Sequence, residues 1–142
     1  MIPRDAFPLL TATNHRVTSS PHRAYNCIAW AMGEVSAWWW PDAYDVGYWP
    51  SEAPREETVA AFIAAFQTRG YAICSNASYE AGLEKVAIYA LRAVPTHAAR
   101  QLPNGLWSSK LGVEEDIEHE FDALDGPVYG SVLVFMSRAD RA

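Results

Sequence analysis

The sequence predicts an α+β domain in which N-terminal helices pack on a mostly antiparallel sheet. Three observations predict it. A capped, amphipathic helical pattern occupies the first half and closes at Gly70. After it the period changes to short segments rich in β-formers. Two of those segments flank Asn104-Gly105, the strongest short hairpin signal a sequence can carry.

Taken in order, residues 1–24 are polar and irregular, with Pro3, Pro8, Pro21 and a Thr-Ser-Ser cluster, and read as an extended arm. Residues 25–70 form the helical part. Asn26 is a good N-cap, its side-chain oxygen placed to accept a backbone N–H of the first turn. Residues 27–32 then form a short helix ending near Gly33. Pro41, Gly47 and Pro50 make 38–53 a loop dense in aromatics: Trp38, Trp39, Trp40, Tyr44, Tyr48 and Trp49. The clearest helix follows from Pro54, a residue suited to the first helical position, with Glu56 and Glu57 at the positive end of the dipole. Val59, Phe62, Ile63 and Phe66 recur at i, i+3, i+4 and i+7 and mark its buried face.

Residues 71–138 carry the sheet. Strands are expected over 71–74, 84–91, 96–102, 106–111 and 128–136, with one late helix over 114–124 whose Ile117, Phe121 and Leu124 share a face. If Asn104-Gly105 is a two-residue turn, Gly112 lies opposite His97 and Lys110 opposite Ala99.

The chain has 142 residues, enough for one domain (1–142) with a real core, and half of them are hydrophobic. A net charge of −6 disfavours nucleic acid and anionic membrane surfaces as partners. No apolar run approaches a membrane span, and no export signal is visible. Two cysteines, Cys27 and Cys74, are too few for a disulfide framework, so reduced thiols in a cytoplasm are expected. Oligomeric state is not readable.

Cysteine chemistry needs a thiolate, and a helix N-terminus lowers the thiol pKa. Cys27, directly after Asn26, is placed for this; the alternative is a buried structural thiol. A nucleophilic cysteine needs a base. His15 and His22 lie in the polar arm, whereas His97 opens a strand from which an imidazole can face a helix N-terminus. A third group should orient the base. Lys110 has donors only, so Asp116 is the first candidate, with His119 and Glu115 behind it; on the late helix Asp116 and His119 share a face. Cys27, His97, Asp116 and His119 also admit a zinc site, but no HExxH, CxxC or HxH spacing accompanies them. Phosphate loops and serine-nucleophile signatures are absent.

Cysteine at a helix start, followed by a sheet strand bearing histidine, resembles the papain-like cysteine hydrolases, nearest in chain order to the NlpC/P60 group. The blocks YNCIAWAMG, WWWPD, YWP, EKVAIYA, THAARQLPNGLWSSKLG and EDIEH look like a small bacterial domain family associated with that fold. The resemblance implies a papain-like, NlpC/P60-like fold, Cys27 as nucleophile and His97 as general base and acid. Ile28, Ala29 and Trp30 stand where those enzymes usually place a small residue, and Ser108, Ser109 and Lys110 where they place the third polar group. The function expected is a cysteine hydrolase or acyltransferase that cleaves an amide or ester bond, in a peptide or another substrate, without a cofactor. Asn26, Trp30, Trp39, Trp40, Trp49 and His119 are expected to line the substrate site. The alternative is an inactive papain-like binding module that uses its tryptophan-rich loop as a contact surface.

Overall fold

A computed structural model describes residues 2, 4–21, 23–111 and 114–140; His22 and Gly112 lie outside the described residues. Its centre is a seven-stranded sheet in the order β1-β6-β5-β4-β3-β7-β2. The strands are β1 (His15–Ser19), β2 (Ala72–Cys74), β3 (Leu83–Leu91), β4 (Val94–Gln101), β5 (Trp107–Lys110), β6 (Asp116–His119) and β7 (Ser131–Ala139). Every neighbouring pair is antiparallel. The helices among the described residues are short: α1 (Cys27–Ala31), α2 (Val59–Gln67) and a 3-10 turn at Arg4–Ala6.

This is a mainly β fold. It corrects the α+β, papain-like arrangement of N-terminal helices on a sheet, because the helices span only five and nine residues against seven strands. Two expected elements account for most of the difference. The late helix over 114–124 is instead strand β6 followed by a turn. Asp116-Ile117-Glu118-His119 has an alternating pattern, and backbone pairing to β1 on one side and β5 on the other satisfies it. The arm contributes β1, which closes that edge of the sheet. Its His-Arg-Val-Thr-Ser sequence is mostly exposed and lacks the apolar alternation that would announce a strand. Helix α2 starts five residues beyond Pro54, after Thr58, whose hydroxyl caps the Ala61 N–H at 3.2 Å. The strands expected over 71–74, 84–91, 96–102 and 106–111 lie within two residues of those bounds, and the last, expected over 128–136, runs three residues later as β7.

Alternation along the strands builds a core on each face of the sheet. Val86, Ile88, Ala98 and Met136 pack under α1, α2, Trp39 and Trp49. Ala87, Tyr89, Ala99 and Ile117 face the other way, against Phe7, Trp107, Leu111 and Leu124.

The β4–β5 hairpin differs from expectation by one residue, and the site depends on it. Arg100 pairs with Ser108 and Gln101 with Trp107. The Leu102 N–H donates to the Leu106 carbonyl at 2.7 Å, so the loop is the three residues Pro103, Asn104 and Gly105. Gly105 supplies the left-handed conformation (φ 86°) that such a loop needs. A one-residue slip sends every side chain to the opposite face. Lys110 therefore does not sit opposite Ala99, and Ser109 joins the face that carries His97.

Candidate functional site

Asn26 fixes the start of α1 and ties it to the tryptophan loop. Its Oδ1 accepts N–H groups from Ala29 (3.3 Å) and Trp39 (3.0 Å), and its Nδ2 donates to the Trp39 carbonyl at 2.6 Å. The side chain is nearly fully buried. Losing a cap of this kind costs about 1–2 kcal/mol. Asn26→Ala is expected to lower stability by that amount in urea unfolding, with α1 and residues 38–40 losing amide-exchange protection together.

Cys27 begins α1 and lines a cavity of about 340 Å³ with Asn26, Trp38, Trp40, Thr96 and Tyr129. Burial pushes its thiol up to about 11, against the pull of backbone N–H groups of Ala98, Ile28 and Cys27 itself and of the Lys110 ammonium. The sulfur is therefore a neutral thiol at pH 7, set among donors that would favour an anion once one forms.

His97 stands next to Ala98 on β4 and is fully buried. Its ring stacks on Tyr129 at 4.0 Å with an interplanar angle of 7°. Tyr129 thus touches both the Cys27 cavity and the imidazole, and Thr96 holds the Tyr129 carbonyl at 2.6 Å. Among the described residues no hydrogen bond joins Cys27 to His97. His97 Nε2 bonds Ser109 Oγ at 2.9 Å, and Ser109 Oγ bonds His119 Nε2 at 2.7 Å. His119 Nδ1 bonds the Glu120 carbonyl at 2.7 Å.

The carbonyl sets the direction of every proton in this chain. A carbonyl only accepts, so His119 carries its proton on Nδ1 and its Nε2 accepts from the Ser109 hydroxyl. The Ser109 oxygen then accepts from His97 Nε2–H. His97 Nδ1 is left as a bare lone pair, buried and without a partner. Burial, and then His119, hold the His97 pKa well below the ordinary imidazole value. Burial lowers His119 to about 4, although the Glu120 carbonyl works the other way.

Asp116, expected as the third group, lies elsewhere. In a strand, positions 116 and 119 point to opposite faces, whereas on a helix they would share one. Asp116 Oδ2 accepts from the Tyr25 hydroxyl (3.1 Å) and from Ser19 Oγ, and Lys110 Nζ is 4.0 Å from its Oδ1. Lys110 is completely buried, also donates to the Glu114 carbonyl, and lies 5.5 Å from the Tyr25 ring centre. The partners of the two histidines are Ser109, which bonds both, and the Glu120 carbonyl, which bonds His119, rather than Glu115. Ser109, one of three residues standing where the third polar group was expected, is the group that joins the two histidines. The correct hairpin register was the signal that could have found it.

The tryptophans divide. Trp38 and Trp40 wall the Cys27 cavity. Trp39 is buried in the core against Tyr48, Trp49 and the Arg69 guanidinium. Trp49 is also core, its Nε1 donating to the Pro54 carbonyl at 2.8 Å. Trp30 points along β5, donating to Ser108 Oγ at 2.9 Å. Among the described residues no group of three or more His, Cys, Asp and Glu side chains converges as a metal site. No helix among them is long and apolar enough to cross a membrane.

Fold and site together define a mainly β, all-antiparallel domain with a cysteine-floored aromatic cavity beside a buried His-Ser-His chain. The chain belongs to the family described as Domain of unknown function (DUF7689), whose model matches residues 16–137. No curated protein and no solved structure matches it.

Proposed function

We propose that the protein is a cysteine-dependent hydrolase or acyltransferase acting on an amide or ester carbonyl held in the Trp38–Trp40 cavity. The observation that carries this reading is Cys27 at the start of α1, lining that cavity with its sulfur near the backbone N–H groups of Ala98, Ile28 and Cys27 itself. His97, the neighbour of Ala98, points to the other face of the sheet, and Tyr129 lies against both its ring and the cavity. Catalytic hydrogen bonds are often long before substrate binds and tighten in the complex.

In this mechanism the Cys27 sulfur forms a bond to the carbonyl carbon as its proton passes, by way of a water on the Tyr129 side of the cavity, to His97 Nδ1. The backbone N–H groups of Cys27 and Ile28 stabilise the developing negative charge. The imidazolium is steadied through Nε2–H to Ser109 and on to His119. Collapse of the tetrahedral species breaks the bond to the leaving amine or alkoxide, which takes the proton from His97. Water, or an acceptor nucleophile, then loses a proton to His97 and cleaves the thioester. The reaction requires a reduced thiol, in keeping with a reducing cytoplasm.

The test is acylation by p-nitrophenyl acetate followed by intact-mass and peptide mapping. An acetyl adduct on Cys27, absent in Cys27→Ser and at least about tenfold slower in His97→Gln, is the expected result. Acetylation that misses Cys27, or that proceeds equally without His97, overturns the reading.

A further inference from the structure

A second cavity, of about 440 Å³, opens at the C-terminal end of α1, away from the residues that line the Cys27 cavity. It contains three cationic side chains, and their pairing separates them. Lys85 Nζ is held by Glu80 at 2.6 Å and by the Asn76 side chain at 3.1 Å. The Arg138 guanidinium is held by Glu84 at 2.8 Å and by the carbonyls of Arg69 and Met32. The Arg100 guanidinium makes no side-chain hydrogen bond or ion pair among the described residues, and its Nε is buried without a partner.

The Arg100 guanidinium is nevertheless fixed in place. It lies over the Trp30 ring at 4.2 Å, and Trp30 is itself held by its bond to Ser108 and by stacking on Tyr25 at 5.6 Å. Stacking occupies the face of a guanidinium and leaves its edge donors open. That edge is the fork that matches a carboxylate with two parallel hydrogen bonds. Burial already works against the charge on Arg100, which a bound anion would relieve. Lys85 and Arg138 are each matched by a glutamate, and of the other acids lining the cavity Glu34 is held by Arg69 while Asp140 lies with Arg138 on the β7 side, so Arg100 offers at most one cationic charge. This favours a monoanion over a phosphate dianion. Tyr71, Tyr79 and Leu83 complete a wall suited to an apolar body.

We propose that this cavity binds a carboxylate on an apolar or aromatic body, with Arg100 gripping the carboxylate edge-on. N-Acetyl-L-phenylalanine, its amide and inorganic phosphate are the probes, titrated by calorimetry and by the NMR shift of the Trp30 indole N–H. The acid is expected to bind saturably, with the amide and phosphate at least about tenfold weaker. Arg100→Gln is expected to bring the acid-to-amide ratio to about one. Leu102→Trp, which adds bulk to the cavity lining, is expected to weaken the acid in a protein that keeps Arg100. The proposal is overturned if the amide or phosphate binds as tightly as the acid, if Arg100→Gln keeps the preference, if Leu102→Trp binds the acid as before, or if the acid shows no saturable binding at millimolar concentration.

Discussion

Ser109→Ala is expected to destabilise the protein by about 2–5 kcal/mol, because it leaves two buried groups unpaired at once. Ser109 is completely buried between His97 Nε2 at 2.9 Å and His119 Nε2 at 2.7 Å. Without the hydroxyl, one ring loses its acceptor and the other its donor, each costing about 1–3 kcal/mol in a site closed to water. For a domain of this size that corresponds to a fall of about 10 °C in Tm. Ser108→Ala is the control on the same strand. Its hydroxyl faces the other side of the sheet and serves one indole N–H of a half-buried tryptophan, so a cost near 1 kcal/mol is expected. Calorimetric unfolding of the two variants separates them. Equal, small shifts would show that the histidines do not depend on Ser109. In acylation assays Ser109→Ala should also slow the reaction and move its pH profile, which a loss of stability alone would not do.

Acid should unfold the protein earlier than its carboxylates alone would. His119 is held at about 4 in the folded chain, against an ordinary value near 6.5. Below pH 6.5 the unfolded chain therefore binds more protons than the folded one, and stability falls as pH falls. The contribution of His119 is intact above pH 6.5, down by about 2 kcal/mol at pH 5, and lost by about 3 kcal/mol near pH 4. His97, also held well below its ordinary value by burial, acts in the same direction. Urea unfolding between pH 7 and 5, a window in which most carboxylates stay ionised, should show this slope, and His119→Gln should flatten it. A stability that is level across the window would mean that neither imidazole is kept neutral by the fold.

Local chemistry was legible in the sequence where one residue type serves one purpose. The Asn26 cap forms as its position suggests, and the hairpin lies at Asn104-Gly105. The strands through residues 83–101 follow their alternation. Long-range consequences were not legible. Pro103 enters the turn and lengthens it to three residues, and that single residue moves Ser109 onto the His97 face. The segment 114–124 has apolar spacing compatible with a helix, yet the strand assignment depends on two neighbours, β1 and β5, that lie far apart in the chain. β1 itself is too polar to announce a strand. Trp39 and Trp49 differ from Trp38 and Trp40 only in which way an aperiodic loop turns, and no period records that. Arg100 reads as an ordinary strand residue until the fold sets it over Trp30 and leaves its edge unpaired.

In the proposed reaction His97 Nδ1 is the base for Cys27. The most direct measurement is the pH dependence of Cys27 alkylation by a small neutral electrophile such as acrylamide, in the native chain and in His97→Gln. With His97 as base, the rate rises as the imidazole loses its proton below pH 6.5 and then holds level to about pH 9. In His97→Gln the same rate climbs steadily with hydroxide toward the thiol's value of about 11. A native profile that climbs in that way, unchanged by His97→Gln, would contradict the account.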